Sequence, residues 1–235
     1  RQIQTYQESI HSQSYSYILD TICSPEERTK ILYMWKDDEH LLHRNEYIGE
    51  QYNDFLEEDD EFNFMKALIA NYILEGIYFY SGFSFFYNLG RNGKMPGTVQ
   101  EIRYINRDEN THLWLFRSLI NDLRKERSDL FTQEHIKYYT AMLKEGVDQE
   151  IAWGKYAIGD NIVGLNGKMI EDYIKYLGNL RAKGLGFGNL YQGYDEVPDS
   201  MKWVEEYADP NQVKTDFFEA KVSAYSKSSI IEDDL

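Results

Sequence analysis

Cysteine is almost absent from this chain. Cys23 stands alone, so no intrachain disulfide can form, and a reducing, cytoplasmic setting is the economical expectation. Proline is scarce as well: Pro25, Pro96, Pro198 and Pro210 are its four copies, and between them helices can run far without meeting a breaker. Basic charge is in deficit, with 25 Lys and Arg against 40 Asp and Glu and a formal net charge of -15. That balance argues against nucleic acid or an anionic membrane surface as the main partner, because phosphate recognition needs clustered cations. The opening RQIQTYQESIHSQSY has neither the apolar stretch of a signal peptide nor the basic, acid-poor character of a transit peptide. No alternating strand pattern and no repeat of fixed period is found.

What is present in quantity is helical periodicity. Residues 1 to 22 carry Ile3, Tyr6, Ile10, Tyr17, Ile18 and Ile22 at helical spacing. Ser24-Pro25-Glu26-Glu27 then combines an N-cap, a first-turn proline and two acids, which predicts a second helix start. Further helices are predicted over Glu61 to Leu89, Pro96 to Lys125, Thr132 to Ile158 and Gly167 to Lys183, with RNGKMPG and IGDNIVGLNG as connectors. At 235 residues one large core suffices. The expected organisation is an all-α helical domain over 1–184 and a Gly-, Tyr- and Asp-rich extension over 185–235, ending in a flexible acidic tail, SKSSIIEDDL.

The one long apolar run, Ala67 to Gly90, has the length of a membrane span and a single charge, Glu75. Asp59, Asp60 and Glu61 precede it closely, basic anchors are missing, and no second apolar segment exists to pack against it. A central buried helix of a bundle is therefore expected, and no membrane partner.

Chemistry enters with Glu8-Ser9-Ile10-His11. Side chains three apart share a helix face, but one such pair is commonplace and reads most simply as a surface contact. Glu109-Asn110-Thr111-His112 repeats the pattern on a second predicted helix, and Glu75 sits isolated in the most apolar one, where a carboxylate must be protonated, paired or bound to a cation. Two Glu-x-x-His helices plus single acids from other helices is the donor set of ferritin-like di-metal carboxylate bundles. Five of six ligands are then Glu8, His11, Glu75, Glu109 and His112, and no other acid, including the EEDDE run at 57 to 61, is suited to be the sixth. Carboxylates with one imidazole per ion favour iron or manganese over structural zinc. Glu39 with His40 and His43 imitates a metal motif but is assigned to an exposed face.

At these residues the sequence resembles the small, radical-generating subunit of class I ribonucleotide reductases. ESIHSQSY, LEGIYFYSGF, IRYINRDENTH, IAWGKY, GLN, YIKYLGNLRAKGLG and FFEAKVSAY carry the likeness over nearly the whole chain. The resemblance implies that a dinuclear iron or manganese site generates a tyrosyl radical on Tyr15 inside an apolar pocket of Phe79, Phe83, Ile102 and Ile105. It implies that Arg107 and Asp108 stand behind the ligands, with Asp108 orienting His11, and that Tyr225 relays the radical to a separate large subunit, which reduces ribonucleotides to deoxyribonucleotides. The C-terminal tail would dock that large subunit, and the protein would be a homodimer. Family members carry a further N-terminal region with the sixth ligand; this chain is then either a split product completed in trans by a separate N-terminal fragment, which is the expectation, or an excerpt of a longer polypeptide. A di-metal oxidase or monooxygenase, or a non-catalytic subunit with vestigial ligands, are the alternatives.

Overall fold

The computed structural model describes residues 2–208, so the tail and Tyr225 lie outside the described residues. Nine α-helices are found among them: α1 (Gln2–Ile22), α2 (Pro25–Tyr33), α3 (Glu39–Glu57), α4 (Glu61–Gly76), α5 (Tyr80–Arg91), α6 (Pro96–Glu126), α7 (Gln133–Ile158), α8 (Gly167–Gly184) and α9 (Lys202–Ala208). No strand occurs among the described residues; only an isolated bridge joins Ile162 and Leu165. The all-α expectation holds.

The starts follow from local chemistry. Ser24 and Glu27 form a reciprocal capping box at α2, with Pro25 in the first turn. Asp60, Thr132 and Asn166 accept from the backbone amides of Asn63, His135 and Met169, which fixes the openings of α4, α7 and α8. The acidic run at 57 to 61 is thus the entry to α4, as its solvated character predicted.

α4 is the axis of the fold. Met65, Ile69 and Ile73 on it are fully buried, and α3, α6 and α7 surround it. Gly146 lets α7 come close, since a Cβ there would overlap Ile73. Residues 185–208 return over this bundle and bury Leu185, Met201 and Val204 in the same core. α1 lies on the outside: His11 and Ile18 are its buried residues, while Ile3, Tyr6, Tyr17 and Ile22, the helically spaced apolar positions, are exposed.

Two expectations are corrected. α3, of 19 residues, was not anticipated; its apolar positions are few, and Arg44 and Gln51 are among its buried side chains. The single helix expected over Glu61 to Leu89 is two, broken at Ile77–Phe79. A break in so apolar a segment strands backbone groups away from water, and remote side chains satisfy them. Arg181 Nε donates to Gly76 O at 3.1 Å, Arg44 Nη2 donates to Tyr78 O at 2.6 Å, and Ser81 N donates to Glu150 Oε1 at 2.9 Å. Arg44 and Glu150, both buried, pair at 2.6 Å. No described helix is long and apolar enough to cross a membrane.

Candidate metal centre

The break begins two residues after Glu75. α4 brings that carboxylate, 3% exposed, to the flank of α6, where Glu109 and His112 are each 2% exposed. α1 crosses the same flank and adds Glu8 and His11. One ligand atom each from Glu8, Glu75, Glu109 and His112 lie within 4.8 Å of one another. His11 joins them, its Nδ1 lying 3.0 Å from Glu109 Oε1 and 3.6 Å from Glu8 Oε2. All five side chains proposed from the sequence therefore meet, from three helices.

Both imidazoles are oriented alike. His112 Nδ1 faces Glu109 Oε2 at 3.0 Å, Glu8 Oε1 at 3.2 Å and Glu75 Oε2 at 3.4 Å, while its Nε2 lies 3.0 Å from Gln7 Oε1. His11 turns Nδ1 inward and Nε2 toward Asp108 Oδ2 at 3.4 Å, and Arg107 grips the other oxygen of Asp108 at 3.0 Å. An outer acceptor on Nε2 leaves the Nδ1 lone pair for the centre, the usual arrangement around a metal-binding histidine.

A cation fits these donors. His11 Nδ1 is buried and, despite its nearness to Glu109, makes no hydrogen bond of acceptable geometry. Nitrogen and carboxylate point at a common place rather than at each other, as ligands of one ion do. Three carboxylates, two imidazoles and no thiolate suit iron or manganese.

Electrostatics gives the same picture. Burial opposes charge on His11, but Glu109, Glu8 and Asp108 outweigh it and raise its pKa to about 10. Burial likewise opposes charge on His112, and Glu109, Glu75 and Glu8 carry it to about 11. Burial works to raise Glu109, yet the two histidines hold it far below the ordinary range; Glu75, where burial dominates over His112, is pushed up. Before any cation binds, protons on the imidazoles balance the carboxylates. A metal ligand must be a neutral imidazole, so loading displaces those protons, and affinity rises with pH until the metal-free histidines themselves deprotonate, near 10. Calorimetry with Mn(II) in buffers of different ionisation enthalpy is expected to register about two protons released per chain from the histidines, plus the fraction of one that the raised Glu75 still holds. Loading without proton release would contradict the raised values.

Tyr15 lies one turn beyond His11. The residue as a whole is 37% exposed, yet burial around its hydroxyl, with the charges of Glu109, Tyr87, Glu101 and Glu8 added, raises its pKa well above the ordinary value. Phe83, Ile102 and Ile105 are buried, and Phe79 packs against Phe83 at 6.1 Å between ring centroids. His40 and His43 stand apart: His40 packs at a tilt on Tyr156, and the exposed side chain of His43 meets Glu145 at 3.8 Å. Beyond Arg107 and Asp108, sequence reasoning missed the residues that stand behind the ligands. Gln7 precedes Glu8 directly, Gln4 donates to Glu75 Oε1 at 2.8 Å, and Asn71 donates to the same oxygen at 3.2 Å. The available signal was polarity at helical spacing: Gln4 one turn before Glu8, Asn71 one turn before Glu75.

A sequence model of the family described as ribonucleotide reductase, small chain, matches residues 2–198. The chain belongs to that family. It is 63% identical over 233 residues to the ribonucleoside-diphosphate reductase subunit beta of Treponema pallidum, a match covering 99% of this chain and 66% of the relative. To the subunit of the same name from Halalkalibacterium halodurans it is 40% identical, covering 96% of this chain and 65% of the relative. The solved structure of a ribonucleotide reductase subunit from Clostridium botulinum superposes with a TM-score of 0.84 at 50% identity, covering 88% of this chain and 65% of that one. The helical bundle is thus ferritin-like, as the two Glu-x-x-His helices implied. The chain spans slightly less than two thirds of the length of these relatives. In each, the remaining third belongs to the same polypeptide, and the expectation of a separate N-terminal fragment gains no support.

Proposed function

We propose that this chain is the radical-generating part of a class I ribonucleoside-diphosphate reductase small subunit, an oxidoreductase. The observation that carries the proposal is Glu109, whose two oxygens each stand 3.0 Å from Nδ1 of a different histidine, so that two ion-binding halves share one carboxylate. Glu8, His11, Glu75, Glu109 and His112 would hold a dinuclear iron or manganese site, which would supply the one-electron oxidising power that no side chain has. Which of the two metals is taken stays with the family rather than with any residue named above.

The chain's own residues do the rest. Tyr15, four residues beyond His11, gives up one electron and its phenolic proton and keeps the radical. Phe79, Phe83 and Ile105 exclude water from the neighbourhood, which protects it from quenching. Asp108 holds His11 by its Nε2 and offers a site for proton movement at that nitrogen. Tyr225, outside the described residues, relays the radical to the large subunit, which the tail beyond residue 208 docks; the large subunit reduces the ribonucleotide. The working form is a homodimer in the cytoplasm. The division at Gly184 is kept as part of the proposal, with α8 ending the metal-binding domain there.

The test is electron paramagnetic resonance after anaerobic loading with Fe(II) or Mn(II) and exposure to oxygen. A tyrosyl signal in the parent protein and none in Tyr15→Phe, at equal metal content, is the expected outcome. A signal surviving in Tyr15→Phe, or metal without radical in the parent, would sink the proposal, the second result favouring a di-metal oxidase.

A further inference from the structure

Of the five ligands, Glu75 is the one with no second ligand on its own helix. It comes alone from α4, and its two oxygens are used differently: Oε2 turns to His112 Nδ1 at 3.4 Å, while Oε1 receives Gln4 Nε2 at 2.8 Å and Asn71 Nδ2 at 3.2 Å. Asn71 in turn is bonded from behind, its Oδ1 accepting the hydroxyl of Tyr52 on α3 at 2.6 Å.

The direction of this chain is dictated by chemistry. A carboxylate that binds metal is ionised and can only accept, so the amide must present its NH2 to Glu75. Its oxygen is left for Tyr52, which must then donate. Burial, with the charges of Glu75 and Glu8 added, pushes the Tyr52 phenol up to about 12, so it keeps the proton it donates. Packing alone does not hold the amide. Asn71, Tyr52 and Gln4 line a cavity of about 270 Å³ together with Phe55, Phe64 and Phe116, which leaves the Asn71 side chain room to turn.

We propose that Tyr52 and Asn71 are positioning residues for Glu75: the Tyr52 hydroxyl fixes the Asn71 amide, and that amide holds Oε1 so that Oε2 is the oxygen presented to His112 and the shared centre. Tyr52 touches no ligand itself and acts through Asn71. The inference rests on the di-metal proposal for its consequence but not for its geometry.

Tyr52→Phe keeps the ring in the cavity wall and removes only the donor. Outer-shell partners of metal ligands are typically worth 10 to 100-fold in affinity, and Gln4 remains as a second donor, so the lower end is expected. In Mn(II) titrations followed by paramagnetic resonance, Tyr52→Phe and Asn71→Leu are each expected to weaken one of the two ions about ten-fold and leave the other unchanged. The double variant is expected to be no weaker than Asn71→Leu alone, because Tyr52 has no other route to the metal. Additive losses, equal weakening of both ions, or no weakening would overturn the inference. A crystal structure of metal-free Tyr52→Phe supplies a reading without metal: the Asn71 amide turned and Glu75 Oε2 displaced from His112 supports the inference, and both unmoved overturns it. Should the parent protein bind no metal, the di-metal proposal fails, and the crystal structure still decides this one.

Discussion

Glu109→Ala is expected to cost the protein both ions. The other carboxylates hold the pair less tightly: Glu75 reaches His112, and half-exposed Glu8 meets His112 and His11 at the longer distances of 3.2 and 3.6 Å. Glu109 is buried and the nearest to both, its separate oxygens each 3.0 Å from one imidazole, so its removal takes a ligand from each ion. Loss of a directly ligating carboxylate should exceed the 10 to 100-fold typical of an outer-shell partner, and for two ions at once the product is a protein that emerges metal-free from a desalting column. Metal analysis checks this; retention of two ions per chain would refute the shared-carboxylate arrangement. The fold should survive. Without Glu109 the histidines lose the partner chiefly responsible for their raised pKa values, and a neutral imidazole is far cheaper to bury than a charged one. Glu109→Ala should therefore keep the helical circular dichroism of the parent while losing its metal, which separates a site defect from a folding defect.

Why so much of this site could be read in advance is a matter of spacing. Glu8 with His11, and Glu109 with His112, are helical neighbours three apart, and a three-residue spacing on a helix fixes a shared face without help from the rest of the protein. Glu75 was legible by contrast, one charge in the apolar run Ala67 to Gly90. Residues whose role depends on tertiary approach were not legible. Gln7 and Asn71 carry ordinary polarity, and only the crossing of α1 over α6 and of α3 beside α4 gives them histidine Nε2, carboxylate or phenol as partners. The helix break is the extreme case. No proline marks the break in LEGIYFYSGF; Gly76 and the middling helix formers after it only weaken the helix there, and Arg44, Glu150 and Arg181, 34 or more residues from the groups they bond, make interruption tolerable. α3 escaped notice for the same reason, since its buried Arg44 and Gln51 blur the apolar stripe by which a helix is recognised.

That break makes the second large prediction. Arg44→Ala is expected to destabilise the fold by about 3–5 kcal/mol, the range for removing one partner of a buried ion pair, and to lower the melting temperature by roughly 10 °C for a domain of this size. Arg44 Nη2 holds Glu150 Oε2 and Tyr78 O, both at 2.6 Å, and its guanidinium covers the Tyr78 ring at 4.3 Å. Glu150 is fully buried, and burial already raises it to about 7 against the pull of Arg44 and Ser81. Deprived of Arg44 it rises further. A carboxylate whose folded pKa lies above its unfolded one loses stability as pH rises, so relative to the parent the deficit should be largest in alkali and ease as pH falls to about 7, below which Glu150 is protonated in both folded proteins. Replacing both partners by apolar residues, Arg44→Met with Glu150→Leu, removes the orphaned charge and should recover part of the loss. Recovery stays incomplete, because Tyr78 O and Ser81 N, groups of the break itself, are then buried without partners at about 1–3 kcal/mol each. Chemical denaturation of the single and double variants at two pH values checks all three statements. A double variant as stable as the parent would show that the break holds itself, and that the pair of charges behind Glu75 is dispensable for bringing the carboxylate to the centre.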